Sequence, residues 1–318
     1  MKIQKTACRA DNCLRHEYYY NSAREGMFDL FSNMLAGGMI NTVFLPGYIG
    51  WSPKEGSGIF DPISKLEGLA VQYYKMTSDL SINCDDLFER IAKSGNDKFA
   101  VLVVNYFGFI DSKIKDIAGT VKKHSGWLIE DNAHGFFTYQ YTEETYSDAT
   151  FFSLHKMFPF KHGGSLIVHN ERLSGLKYGG DDFNTTAYNP WQYDVKNIAW
   201  IRRKNYAALG SIVNSKDVAE YFIPLKSKEL MPGTVPQTFP IRIIKGDRNK
   251  IYELMNQHGY GVVSLYHTLI EPLQRSEYQA SIDLSRCIMN LPVHQDVDAD
   301  KYAEMVELLI DFCKTTSQ

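Results

Sequence analysis

The sequence predicts an α/β fold, with a mostly parallel central sheet in a large unit followed by a smaller α+β unit. Three observations carry this expectation. The apolar, β-branched run Phe99–Val104 is followed by Ile114, Ile117, Ala118 and Val121 at helical spacing and by a second apolar run at 127 to 129. Strand, helix and strand at that length imply a right-handed parallel crossover. Asn105, Asp131 and Ser153 each stand just past an apolar run, and open sheets of this class bind ligands at the carboxyl ends of their strands. From about Ser211 the order changes to a strand, a helix, a strand and a closing helix. A chain of 318 residues is long enough for both units.

The remaining elements follow in order. Residues 1 to 20 read as an arm, 21 to 210 as the large unit and 211 to 318 as the small one. Ser22 and Glu25 form a capping box ahead of Met27, Phe28, Leu30, Phe31, Met34 and Leu35, a helix that Gly37 and Gly38 end. Free amides at such a helix start also favour a phosphate. A strand at 42 to 45 runs into Pro46-Gly47-Tyr48-Ile49-Gly50-Trp51, and a loop with a short helix fills 52 to 66. A strand at 70 to 74 and an amphipathic helix at 85 to 93 come next. Strands are expected at 149 to 152 and 165 to 169, and a long helix at 195 to 209. In the small unit the expectation is a strand at 239 to 244, a helix from the cap Asp247 to Gly259, a strand at 262 to 265, a segment 290 to 293 and a helix at 298 to 312.

Composition narrows the function classes. The 34 basic and 37 acidic residues are interspersed, so no basic stripe points to nucleic acid. No apolar run is long enough to span a bilayer and the N-terminus lacks a signal core, which leads to the expectation of a cytoplasmic protein with no membrane partner. Five scattered cysteines fit reduced thiols; Cys8 and Cys13 have no second ligand pair, so no metal is expected.

Asp131 at one strand end and Lys156 near the next supply a carboxylate and an amine. Pyridoxal phosphate needs both: a lysine for its aldehyde and an acid against its ring nitrogen. Ser153, three residues before Lys156, adds a hydroxyl for the phosphate. Taken singly, Asp131 is equally a turn residue and Lys156 a solvated surface lysine.

Two stretches, LIEDNAHGF and SDATFFSLHKMFPFKHGGSLIVHN, resemble the DegT/DnrJ/EryC1/StrS family of sugar aminotransferases, fold type I enzymes that use pyridoxal phosphate. The resemblance implies that Lys156 holds the cofactor as a Schiff base and shuttles the proton, Asp131 pairs with the ring nitrogen and His134 sits beside the ring hydroxyl. It further implies that Ser153, Ser22 and Ala23 bind the phosphate, that Trp51 or else Tyr48 stacks on the ring, and that Asn184 reaches toward a neighbouring site in a homodimer. Asn105, Tyr106 and His267 become substrate contacts. Glutamate is the implied amino donor and a nucleotide-linked keto-deoxysugar the acceptor. The sequence departs from the family in lacking an arginine after Asn184 and in the short spacing from Ser153 to Lys156; Lys161 is the rival lysine. A sugar dehydratase using the same cofactor, which a histidine in place of the lysine would suggest, and a non-catalytic scaffold or regulator stay open as alternatives; His155 stands next to Lys156, and the lysine argues for transamination.

Overall fold

The computed structural model describes residues 16–95, 98–180 and 187–317. Among them β1 (His16–Tyr20) leads into α1 (Ala23–Ala36), β2 (Thr42–Pro46), the short α2 (Phe60–Ser64), β3 (Ala70–Tyr74) and α3 (Cys84–Ser94). Next come β4 (Phe99–Val104), α4 (Ile114–Lys123), β5 (Trp127–Asp131), α5 (Phe136–Tyr139), β6 (Ala149–Ser153), β7 (Gly164–Val168) and α6 (Glu171–Ser174). The long α7 (Val195–Ser215) is followed by β8 (Phe222–Pro224), β9 (Thr238–Ile243), α8 (Arg248–Gln257), α9 (Gln279–Cys287), β10 (Ile288–Pro292) and α10 (Tyr302–Thr315).

Seven strands form one sheet in the order β1-β7-β6-β5-β4-β2-β3. From β6 through β3 every pairing is parallel, and β7 and β1 close that end antiparallel. Strands β2, β4, β5, β6 and β7 are buried almost throughout, which is why they read as continuous apolar runs rather than alternating ones. α1 and α4 cover the sheet with Met27, Leu30, Phe31 and Met34 and with Ile114, Ile117 and Val121. Ser22 caps α1 by accepting from the Glu25 amide at 3.3 Å. A second core lies between the sheet β10-β9-β8 and α7, α8 and α10, around Tyr206, Phe239, Ile241, Ile251, Met289 and Leu309.

Four features differ from the sequence expectation. The arm's described end, His16–Tyr20, is an edge strand of the large sheet, paired from His16 with Val168 to Tyr20 with Gly164. α7 continues to Ser215, past the expected boundary at residue 210. Residues 262 to 265 make a single bridge, Val263 with Asn290, instead of a strand, because the flanking segment is committed to the junction with the large sheet. β8 and α9 carry no clear period of their own, being three and nine residues long.

Candidate active site

Parallel pairing aligns the strand ends. Val104 pairs with Asp131, Asp131 with Phe151 and Ser153 with Gly164, so the segments leaving β4, β5 and β6 emerge side by side. A cavity of about 210 Å³ opens above them. Its lining includes Ser22 and Ala23 at the start of α1, Trp51, Asp131, His134, Ser153, Lys156 and His267. Eight of the residues singled out from sequence therefore converge on one space.

Lys156 is aimed there by what surrounds it in the chain. Leu154, Met157 and Phe158 are buried in an aromatic cluster with Phe136 and Phe137; the Phe158 ring centroid lies 5.1 Å from that of Phe136 and 5.5 Å from that of Phe137. With its neighbours held on that side, Lys156 projects into the cavity, while the exposed Lys161 stays outside its lining. The Lys156 Nζ lies 3.2 Å from His134 Nε2. The His134 ring is stacked on Phe107 (centroids 5.8 Å apart, planes at 10°) and its Nδ1 accepts from the Phe107 amide at 3.3 Å. A neutral ring accepting at Nδ1 carries its proton on Nε2, so His134 donates toward Lys156, which must accept as the free base.

Electrostatics agree with that arrangement. Burial depresses the His134 ring well below the ordinary histidine range, and Lys156 depresses it further. The Lys156 side chain is open to the interior of the cavity, yet protein encloses its amine. That desolvation lowers its pKa against the opposing pull of Asp131 and Glu55. Lys156 is thus held toward the nucleophilic, neutral form. Burial lifts the Asp131 carboxyl, partly offset by the Ala133 amide, which donates to Oδ1 at 2.8 Å, and by Lys156. A carboxylate buried with one amide partner is suited to a cationic ligand group.

The start of α1 forms the anion cradle. A Cβ built on Gly164 would stand 2.2 Å from the Ala23 nitrogen and 2.4 Å from the Ser22 carbonyl carbon. Only glycine lets β7 begin this close to the helix without a side chain covering the first amides. Amine, carboxylate and cradle around one cavity match the aldehyde, ring nitrogen and phosphate of pyridoxal phosphate, so these residues fit that group.

Three sequence expectations are corrected. Tyr48 is fully buried and does not line the cavity; its hydroxyl accepts from the Tyr266 amide at 2.7 Å and donates to the Tyr266 carbonyl at 3.1 Å. Trp51, 44 % exposed, is the aromatic that reaches the cavity from this loop. Asn105 and Tyr106 lie beneath the floor: Asn105 Nδ2 donates to Glu130 (2.7 Å) and Asn132 (2.9 Å), and the Tyr106 hydroxyl donates to the Tyr48 carbonyl. Burial of polar residues at strand ends turned expected contacts into supports. Asn184, Cys8 and Cys13 lie outside the described residues. Among the described residues no group of three or more His, Cys, Asp or Glu side chains is arranged to hold a metal, and no helix is long and apolar enough to cross a membrane.

Sequence reasoning missed Arg24 and Glu55 as cavity residues; Tyr266, beside His267, lines the cavity as well. Tyr266 packs where a Cβ on Gly50 would stand 2.0 Å from its ring.

No protein-family model and no curated protein matches the chain. Solved structures share its fold. Helicobacter pylori PseC, an aminotransferase involved in the biosynthesis of pseudoaminic acid, aligns over 95% of this chain and 87% of its own with TM-score 0.71 and 16% identity. A DegT DnrJ EryC1 StrS aminotransferase from Brucella abortus aligns over 94% and 86%, with TM-score 0.69 and 13% identity. The E. coli GDP-4-keto-6-deoxy-D-mannose-3-dehydratase with bound hydrated PLP aligns over 92% and 87%, with TM-score 0.70 and 15% identity. The chain therefore shares the α/β fold of these solved structures.

Proposed function

We propose that the protein is a pyridoxal-phosphate-dependent aminotransferase that moves an amino group from glutamate to a keto group of a nucleotide-linked deoxysugar, working as a homodimer in the cytoplasm. The observation that carries this reading is the convergence of Lys156, Asp131, His134 and the α1 cradle on one cavity. The cofactor, when bound, supplies an electron sink for the pair released when a bond at the substrate carbon breaks. The chain's residues do the rest. Asp131 would keep a proton on the ring nitrogen, and Ser22 and Ala23 at the start of α1, with Ser153, would hold the phosphate. Trp51, which lines the cavity, would stack on the ring. Lys156, as a free base, holds the cofactor and moves the proton at the substrate carbon. His134 orients that amine through Nε2 and would sit beside the ring hydroxyl of the bound cofactor. The sugar class is supported by the structural relatives' chemistry.

A dehydratase is the second reading. His155 lines the same cavity, with its Nδ1 3.3 Å from Ser153 Oγ, and a dehydratase stands among the structural relatives. An absorbance spectrum of the protein with added pyridoxal phosphate, before and after glutamate, tests both. A band near the visible edge that glutamate bleaches, absent in Lys156→Ala, is expected. A band that glutamate leaves untouched favours the dehydratase, and no band overturns both readings.

A further inference from the structure

We propose that Arg24 recognises the carboxylate of the amino-acid donor in this cavity, an inference that rests on the aminotransferase reading. Arg24 lies in the first turn of α1, and it is the sole arginine lining the cavity among the described residues. It forms no ion pair with any described residue. Its Nη1 donates to the Glu55 carbonyl at 2.7 Å, which holds the guanidinium in place and leaves its remaining N–H groups open.

The other basic groups of the cavity are committed. Lys156 faces His134 Nε2 as a free base. His155 Nδ1 sits 3.3 Å from Ser153 Oγ and 3.4 Å from the Gly163 carbonyl, and burial depresses its pKa. His267 Nδ1 lies 3.2 Å from the Ser264 carbonyl. Arg24 is consequently the cavity's one permanent cation among the described residues. Asp131 and Glu55 bring negative charge into the same space, so an anionic substrate would be repelled if nothing answered it.

Backbone amides at the α1 start suit a phosphate, whereas a guanidinium offers the planar, forked donors that match a carboxylate. Arg24 and Lys156 line the same cavity of about 210 Å³, a space on the scale of one small amino acid, so one ligand could present its carboxylate to the first and its amino group to the second. Arg24 thus supplies what the sequence lacks after Asn184.

The test compares wild type, Arg24→Gln and Arg24→Lys in two measurements. Glutarate, a dicarboxylate without an amine, is titrated into cofactor-free protein while tryptophan fluorescence is followed, since Trp51 lines the cavity. Arg24→Gln is expected to weaken glutarate about 10- to 100-fold, and Arg24→Lys to recover part of the loss. In the loaded enzyme, KM for glutamate should rise by a similar factor while kcat and pyridoxal phosphate affinity stay within about threefold. Unchanged glutarate affinity and KM would overturn the assignment, as would a collapse of cofactor binding, which would place Arg24 in the phosphate cradle. Wild type that takes no pyridoxal phosphate would sink the aminotransferase reading, while the cofactor-free titration would still decide whether Arg24 binds carboxylate.

Discussion

The cavity has two unlike walls. One is built from the ends of β4, β5 and β6 and the start of α1, where register places Asp131, Ser153 and Lys156. The other is the irregular segment carrying Ser264, Leu265, Tyr266 and His267, which belongs to no strand or helix. Backbone bonds from Trp51 to Thr268 (3.0 Å) and from Ile270 to Ile49 (3.0 Å) tie it to the large sheet. The Tyr48 hydroxyl grips both backbone groups of Tyr266, and Arg248 Nη1 donates to Ser264 Oγ at 3.1 Å. A regular sheet can place reactive groups by pairing alone, whereas a loop wall must be pinned atom by atom. On the proposed function, the first wall would carry the chemistry and the second would shape the space around the substrate.

That division breaks most sharply at Lys156. Lys156→Ala is expected to lower transamination by about 10³-fold or more, read from turnover and the lost absorbance band. Gly164→Ala, also on the sheet wall, should weaken pyridoxal phosphate and cost about 1–3 kcal/mol of stability, because its Cβ meets backbone at 2.2 Å; titration with the cofactor and thermal melts measure both. On the loop wall, Tyr48→Phe strands the Tyr266 amide and should also cost about 1–3 kcal/mol. There, however, kcat/KM should fall with cofactor affinity retained, and equal losses of both would erase the distinction between the walls.

A pH experiment sharpens the account of the sheet wall. His134 has a folded pKa depressed by burial, so the unfolded chain takes up a proton first as the solution is acidified. Its contribution is present above about pH 6.5 and is lost as pH falls below that value. Wild type should lose up to about 1.4 kcal/mol more per pH unit than His134→Gln between pH 6 and 5, measured by denaturant melts. Parallel curves would contradict a buried neutral imidazole. The smallest effect is expected at Lys161→Ala, within about 0.5 kcal/mol and with activity intact, since this exposed lysine stands outside the cavity lining.

Much of the sheet wall was legible before any coordinates. Buried parallel strands advertise themselves as apolar runs, and Asp131 and Lys156 stand out as charged residues directly after them. Lys156 was separable from Lys161 by its spacing from Ser153, and the aromatic cluster around Phe158 shows why that spacing works. Tyr48, Asn105 and Tyr106 were misread because residue type at a strand end does not tell which way the side chain turns. Each found a hydrogen-bond partner inward and became a support. The packing of Tyr266 depends on Gly50, more than two hundred residues earlier in the chain, which no local pattern shows.

The sequence by itself determined most of the strand and helix order of the large unit, the positions of Asp131 and Lys156 at and just after their strand ends and the capped start of α1, because periodicity, capping and the residues that follow a strand are local properties. The tertiary structure alone decided which aromatic reaches the cavity, that His134 presents Nε2 to Lys156, that His16–Tyr20 joins the sheet edge and that Arg24 lines the cavity without an ion pair to any described residue. Those outcomes depend on burial and on contacts between distant segments, and burial is a property that a residue acquires only when the rest of the chain has closed around it.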